Sequence, residues 1–326
     1  MVVSSFERVS RRTTLLFITI LLATAASGPA RADDHLRVAR PSAIGFGLAT
    51  VNVGVAAGIF HSHGLDVEVL ILDGSAKQHQ AMIAGAIDIT LGAGTDLAFV
   101  AKGAPEKGVA AIAGPPLNFG ATVRNDGKIN TVADLKGKKI SATTVGSITY
   151  WFANQISVRE GWTGADALQI VPLGNFDGAR AALKTGDIDA ISATMEGGLL
   201  MQKEGAGKVL LAYGDIIKTF LTHVAFATDD LMKRHPDQLR RFLKGWFETV
   251  AWMKTHKEES VRFAMAATNL PLDIANQSYD REQAMFSVDG RFDPKAVAIV
   301  MQSLVETGAL PSIPDNGTLF TEEFLN

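Results

Sequence analysis

Residues Ala81 to Thr90 read A-M-I-A-G-A-I-D-I-T, and residues Ala182 to Ile191 read A-L-K-T-G-D-I-D-A-I, with Ala, Gly, Ile and Asp in the same four places. Each copy has the pattern of a helix end, a glycine suited to the left-handed conformation just beyond it, and a short apolar strand. A helix feeding a buried strand is half of a βαβ unit. The copies lie too far apart for a solenoid repeat, so they point to two similar α/β lobes rather than an array. Around the first copy, Leu36 to Arg40 reads as a strand closed by Pro41, Gly47 to Phe60 as a helix, and Val67 to Leu72 as a second strand. That helix carries Gly54, Ala56, Ala57 and Gly58, so close packing on the sheet is expected.

The 326 residues, 47% hydrophobic and 20% charged, suffice for two ordinary domains with a sizeable core. Residues 1–32 read as an export signal. Arg8, Arg11 and Arg12 form a positive start, Leu15 to Ala26 is an apolar run too short to span a bilayer, and Ala30-Arg31-Ala32 offers a cleavage site before Asp33. Ser10-Arg11-Arg12 is similar to a twin-arginine signal, but Thr14 departs from that pattern and the general secretory route is expected. Net charge is -3, and the segment removed carries four basic residues and one acid, so the mature surface is more negative still and nucleic acid is not an expected partner. The chain has no Cys, which removes disulfides, a lipoprotein anchor, thiolate catalysis and Cys-bound metal together. His61 and His63 in H-S-H-G lack a third ligand at matching spacing and read as a solvated corner; no metal or cofactor is expected.

Gly58-Ile59-Phe60 followed by His63-Gly64-Leu65-Asp66-Val67-Glu68-Val69 resembles a motif of solute-binding proteins of the nitrate, sulfonate and taurine class of ABC importers. Gly74-Ser75, Gln78, the Ala84-Gly85 to Asp88 segment and Ala133-Asp134-Leu135-Lys136-Gly137-Lys138-Lys139-Ile140 continue that pattern in order, as do Gly308-Ala309-Leu310, Phe320 and Phe324 at the end. The resemblance covers nearly the whole mature chain. It implies the type II periplasmic binding fold, an α/β architecture of two lobes joined by two crossover strands, with ligand between them. Lobe one would comprise residues 33–122 and 226–326, and lobe two residues 123–225, with crossovers near Val123 and Ala225. It also implies a periplasmic, monomeric protein, without catalytic residues, that delivers a small solute to a permease and its ATPase; the alternative is a ligand sensor that hands its conformation to a receptor. Pro236 starts a long amphipathic helix whose stripe of Leu239, Phe242, Leu243, Trp246, Phe247, Val250 and Met253 reads as core.

Open α/β sheets bind ligands beyond the carboxyl ends of their strands, where helix N-termini offer unpaired N–H groups to acceptor atoms. Four stretches fit: Leu72 to Ser75, with Gly74 and Ser75; Leu91 to Thr95, with Gly94 and Thr95; Ser141 to Trp151, with Thr143, Thr144, Ser147, Tyr150 and Trp151; and Ala193 to Glu196. Ser42, Phe46 and Asn175 complete the candidate set. Each hydroxyl is equally readable as a helix cap. Two adjacent aromatics point in different directions on a helix, so one of Tyr150 and Trp151 is expected to face cleft or solvent. Many members of the resembled family have Trp-Glu-Pro where this chain has Met195-Glu196-Gly197; the acid is kept, the ring and rigid turn are not. Arg40, Lys77 and Arg124 are the cations placed near these loops, and Phe46, Tyr150, Trp151 and Phe176 the rings. Glu196 with these rings would suit a small heterocycle or aromatic bearing an N–H donor at least as well as a nitrate-like ion, and a carboxylate- or sulfonate-bearing aromatic would reconcile the two, using helix N-termini for the anion and rings for the body. Thiamine-pyrimidine synthases share the resembled fold but use a Cys-rich motif, and no nucleotide or nucleophile-elbow motif occurs here.

Overall fold

A computed structural model describes residues 34–325 of the chain. The expected export signal lies outside the described residues. In chain order the strands are β1 (Asp34–Arg40), β2 (Leu65–Ile71), β3 (Ile89–Ala93), β4 (Glu106–Ala113), β5 (Phe119–Arg124), β6 (Lys139–Ala142), β7 (Gln169–Pro172), β8 (Ala190–Thr194), β9 (Gly207–Ala212) and β10 (His223–Thr228). They form two five-stranded sheets of the same topology, β2-β1-β3-β10-β4 and β7-β6-β8-β5-β9. β1 pairs in parallel with β2 and β3, and β6 with β7 and β8. β10 and β5 are the antiparallel members of their sheets. Each is the first strand laid down after the chain has come over from the other lobe. It therefore arrives from the opposite end of the sheet and runs antiparallel between its two neighbours, β3 and β4 for β10 and β8 and β9 for β5.

The chain passes between sheets at residues 114–118 and again after β9 through residues 213–222. Val123 and Ala225, expected at the switch, instead sit inside β5 and β10. Their apolar runs are the signature of a central strand, and each passage leads directly into one. Rings fill the space around the passages: Phe220 lies 4.9 Å from Trp151 and 5.2 Å from Phe152, and Phe152 lies 5.5 Å from Phe119.

The described helices used below are α1 (Thr50–Ala56), α2 (Ser75–Ile83), α3 (Ile148–Glu160), α4 (Phe176–Thr185), α5 (Met195–Lys203), α6 (Pro236–Met253), α7 (Lys257–Thr268), α8 (Leu272–Glu282) and α9 (Pro294–Glu306). The repeated sequence is α2 feeding β3 and α4 feeding β8, equivalent places in the two sheets. Gly85 and Gly186 take φ of 70° and 89°, and the N–H of the following residue closes on Ala81 O and Ala182 O respectively. This is the capping geometry that only a residue without Cβ adopts cheaply. Ile87 and Ile188 are then buried, and the two aspartates clamp the neighbouring strand: Asp88 Oδ2 accepts Arg37 N at 2.9 Å and Asp189 Oδ2 accepts Lys139 N at 2.9 Å. The motif thus fixes the register of the third strand on the first in both lobes.

The helix expected over Gly47 to Phe60 is interrupted at Gly58, whose φ of 73° ends α1 and restarts a short turn at Ile59. Gly54 does meet a close neighbour, but it is α6 rather than the sheet: a Cβ there would lie 2.4 Å from Thr249 Oγ1 and 2.6 Å from Phe60. α6 begins with Pro236 and buries Leu239, Phe242, Leu243, Trp246, Val250 and Met253 as its stripe requires. α8 packs on α5 of the second lobe. Lys203 reaches Asp273 across that contact at 2.6 Å. The C-terminal helices therefore touch both lobes.

Candidate ligand-binding cleft

All six parallel strand ends that precede a helix or loop on the facing edges, those of β1, β2, β3, β6, β7 and β8, open onto one cavity of about 340 Å³ between the sheets. The first lobe supplies Pro41 to Ile44, Asp73 to Ser75, Ala93 and His223. The second supplies Phe119, residues 141–143 and 147–149, residues 174–177, Arg180 and residues 191–194, with Leu200 from α5. Four helices, α2, α3, α4 and α5, start at its wall. Helix starts leave backbone N–H groups without intrahelical partners, so α2, α3 and α4 present donors and partial positive charge to the cavity, whereas at the start of α5 the Met195 N–H already donates to Asn118 O at 2.9 Å.

The hydroxyls divide by what they already do. Ser147 caps α3, its Oγ accepting Tyr150 N at 3.3 Å and donating to Thr144 O at 2.7 Å, and Asn175 caps α4 through Gly178 N at 2.9 Å. Thr149 Oγ1 accepts Thr143 N at 3.1 Å and lies 3.1 Å from both Thr143 Oγ1 and Ser147 Oγ. Ser141, buried at the end of β6, lines the cavity with an Oγ that has no partner among the described residues. α2 has Gly74 at its cap position and no side-chain cap, so the N–H groups beginning at Ser75 stay open. Ser42 is held indirectly: the buried Arg40 guanidinium donates to Ser42 O, Ala43 O and, at 2.7 Å, to Ala267 O. Burial pushes Arg40 down to about 10, which leaves it charged at neutral pH but spent on carbonyls.

The charged side chains at the cavity are Asp73, Asp177 and Arg180, and Arg180 is paired with Glu204. His223 lies within the wall, and burial pushes it down to about 4, so it is neutral. Its Nδ1 lies 3.3 Å from Gly92 O and must carry the proton, which leaves Nε2 to accept from Asn118 Nδ2 at 3.0 Å. The ring therefore offers the cavity a face rather than a donor. Phe119, Phe176, Ile44, Ile148, Ile191 and Leu200 make the rest of that surface apolar.

Of the residues expected from sequence, the structure brings Ser42, Gly74, Ser75, Thr143, Ser147 and Asn175 to the cavity. Phe46 is instead buried in an apolar cluster with Ala49, Val261 and Tyr279. Gly94 serves packing: a Cβ there would sit 2.0 Å from Leu221 O. Thr95 is buried away from the cavity, Thr144 is exposed, and Tyr150 is half-buried outside it. Trp151 is core, stacked on Phe220, with Nε1 donating to Glu306 Oε2 at 2.8 Å. Glu196 is fully buried at the start of α5, accepting Phe46 N at 2.7 Å, and does not line the cavity. Burial pushes its carboxyl up. Sequence reasoning missed His223, Phe119, Ser141 and Thr149. The last two stand in the quoted Ser141 to Trp151 stretch, where strand alternation marks Ser141 as inward; His223 and Phe119 open strands whose direction sequence alone does not reveal.

Gly197 explains how the cleft has a ring without a Trp at position 195. A Cβ on Gly197 would lie 2.6 Å from Phe176 Cε2, so the glycine is what lets Phe176 lie against the start of α5 at the cavity wall. Met195 points the other way, its Sδ against Gly120.

Comparison with known proteins matches this arrangement. A curated Bacillus subtilis (strain 168) protein named as an aliphatic sulfonates-binding protein is 25% identical over 241 residues, covering 73% of this chain and 71% of that one. The periplasmic aliphatic sulphonate binding protein SsuA from Escherichia coli superposes with a TM-score of 0.70 at 20% identity, covering 88% of this chain and 91% of that one. The desulfurization enzyme DSZB, as a C27S mutant in complex with biphenyl-2-sulfinic acid, has the same fold with a TM-score of 0.66 at 16% identity, covering 89% of this chain and 97% of that one. The fold is the type II periplasmic binding fold, two α/β lobes with a ligand cleft between them. The NMT1/THI5 like family matches residues 47–260, well over half of the sequence, and the chain belongs to that family.

Proposed function

We propose that the protein is the substrate-binding component of an ABC importer. It captures a small solute with a flat or apolar body and a terminal carboxylate or sulfonate, and delivers it to a membrane permease. The observation that carries this reading is the convergence of the starts of α2, α3 and α4 on a cavity whose remaining surface is rings and aliphatic side chains. Such a site holds an oxyanion with backbone donors and needs no cation, and Arg180, the cation at the wall, is engaged by Glu204. The likeness to sulfonate-binding proteins supports the same class. The protein acts in the periplasm as a monomer, and its two short passages at residues 114–118 and 213–222 serve as the hinge on which the lobes close. Catalysis is not part of this reading. The C27S label on the DSZB complex points to a cysteine in that enzyme, and this chain has none.

The test is a titration series with benzenesulfonate, benzoate, 1-hexanesulfonate, nitrate and neutral benzenesulfonamide. Benzenesulfonate should stabilise the fold and bind at least about tenfold more tightly than either nitrate, which lacks the body, or the sulfonamide, which lacks the charge, a difference of about 1.4 kcal/mol. Equal binding of the sulfonamide would show that the anionic charge is not recognised, and equal binding of nitrate would show the same of the body.

A further inference from the structure

Beside the cavity, two carboxyl groups meet across the lobes. Glu196 comes from the first turn of α5 in the second lobe, and Glu282 ends α8 in the C-terminal helices; both are 0% exposed. Glu196 Oε1 accepts the Phe46 N–H. Phe46 and Gly47 come just after the cavity-lining loop Pro41 to Ile44, and Gly47 packs so closely that a Cβ on it would lie 2.7 Å from Glu282 Oε2. Among the described residues neither glutamate has an ion-pair partner. Glu196 Oε2 and both oxygens of Glu282 make no hydrogen bond of ordinary geometry; the Gly47 N–H near Glu282, and the Glu196 N–H and Thr194 hydroxyl near Glu196, are neutral donors that act more weakly.

The charged groups on the surrounding elements are engaged elsewhere. At the end of α5, Lys203 pairs with Asp273, and Glu204 just beyond it pairs with Arg180. On α8, Asp280 pairs with Lys257, and the exposed Arg281 acts on Glu282 only through its field. Arg40 is bound to carbonyls below the loop, His223 is tied to Asn118 and Gly92, and Tyr279 donates to Met253 O. Two buried carboxylates in contact without a counter-charge are untenable as a doubly charged pair, because charge that only neutral donors offset is expelled from a low-dielectric site. A single shared proton removes one charge and supplies the missing donor.

We propose that Glu196 and Glu282 form a proton-loaded latch: closing the lobes takes up one proton between them, and opening returns it to water. This rests on the reading that the lobes part to admit a solute. Burial and the charge of Glu196 hold Glu282 well above the ordinary carboxylate range in the closed form, whereas an open cleft hydrates both groups. A group held up in the closed form favours closure at low pH. Closure therefore weakens by about tenfold per pH unit as pH rises from the ordinary carboxylate range through the closed-state value of the pair.

The test is calorimetric titration of benzenesulfonate at neutral pH in two buffers of different ionisation enthalpy, which counts protons directly. Wild-type protein should take up about one proton per benzenesulfonate bound. Glu282→Gln should take up none and still bind, because its amide gives Glu196 the donor that the proton supplied; Glu196→Gln is the reciprocal variant. No uptake by wild type, or undiminished uptake by both variants, overturns the latch. If benzenesulfonate does not bind, the solute class fails, and the latch is judged on the free protein by X-ray scattering from about pH 5 to about pH 9. The latch expects a compact form at the acid end that expands on titration and does so less in Glu282→Gln. Dimensions that ignore pH overturn it.

Discussion

His79 should make the fold lose stability in alkali. The ring is fully buried on α2, stacked 4.3 Å from Phe99, with Nδ1 2.6 Å from Glu106 Oε1 and Nε2 3.4 Å from Asp96 Oδ2. Burial opposes its charge, but the hydrogen-bonded carboxylates of Asp96 and Glu106 outweigh burial and raise it to about 9 from 6.5. The folded value is the higher one, so the contribution is fully present below the unfolded value of 6.5 and is lost as pH rises through about 9. A shift of this size corresponds to about 3 kcal/mol. His79→Gln leaves two sealed carboxylates without a cation and should cost about 3–5 kcal/mol at neutral pH. Urea unfolding of both proteins at about pH 6.5 and about pH 10 isolates the cluster of His79, Asp96 and Glu106, because the titrating groups outside it are common to the pair. The gap between wild type and variant should shrink by about 3 kcal/mol across that interval. A gap that stays constant would show that His79 is neutral in the fold and that the two acids find their compensation elsewhere. The site reports on the same change, since Asp96 Oδ2 also accepts the N–H of cavity-lining Ala93 at 2.8 Å.

Two glycine substitutions should separate packing from ligand contact. Gly94→Ala drives a Cβ into Leu221 O, backbone of the second passage that cannot swing aside, and should cost about 1–3 kcal/mol in unfolding free energy. Gly197→Ala meets only the half-buried Phe176 ring, so stability should hold or rise by up to about 1 kcal/mol while affinity for benzenesulfonate changes more than that for methanesulfonate. Equal melting temperatures for the two variants would contradict this assignment. Asp88→Ala and Asp189→Ala should each lose about 1–3 kcal/mol for the orphaned strand N–H, with Asp88 the more costly because Arg37 Nε and Nη2 also bond to it; identical denaturation midpoints would argue that the guanidinium contributes nothing.

Local chemistry was legible in the sequence wherever neighbours in the chain are neighbours in space. Gly85 and Gly186 could be read as helix ends because the turn they make is closed by residues a few places away. The same locality made the stripe of α6 readable from Leu239 to Met253, and placed Gly74, Ser75, Thr143 and Ser147 at strand ends. Contact across the cleft could not be read. Tyr150 and Trp151 differ by one position, yet only the fold puts Glu306 within reach of one indole nitrogen and turns that residue into core. Gly94 shows the same limit: its sequence context suits an approaching ligand or an approaching backbone, and the decision lies with Leu221, more than a hundred positions later.

Met195-Glu196-Gly197 shows why a departure from a family pattern is hard to value in isolation. Taken alone, the loss of a Trp and a Pro beside a retained acid suggests an acid exposed to ligand and a site stripped of its ring. Each of the three residues is in fact answered by a distant segment. Met195 fills the space over Gly120, which could not accept a Cβ there. Glu196 is turned from the cleft by the Phe46 N–H and meets Glu282, so its chemistry becomes that of the lobe interface. Gly197 clears the place into which Phe176 lies, and a ring at the start of α4 can stand in for one at the end of β8 because both elements open on the same cavity. The aromatic surface is retained while its source has moved. A ring delivered by a helix start is carried beside that helix's free N–H groups, so the apolar body and the anionic end of a solute are recognised by one element, and a shift of α4 would alter both together.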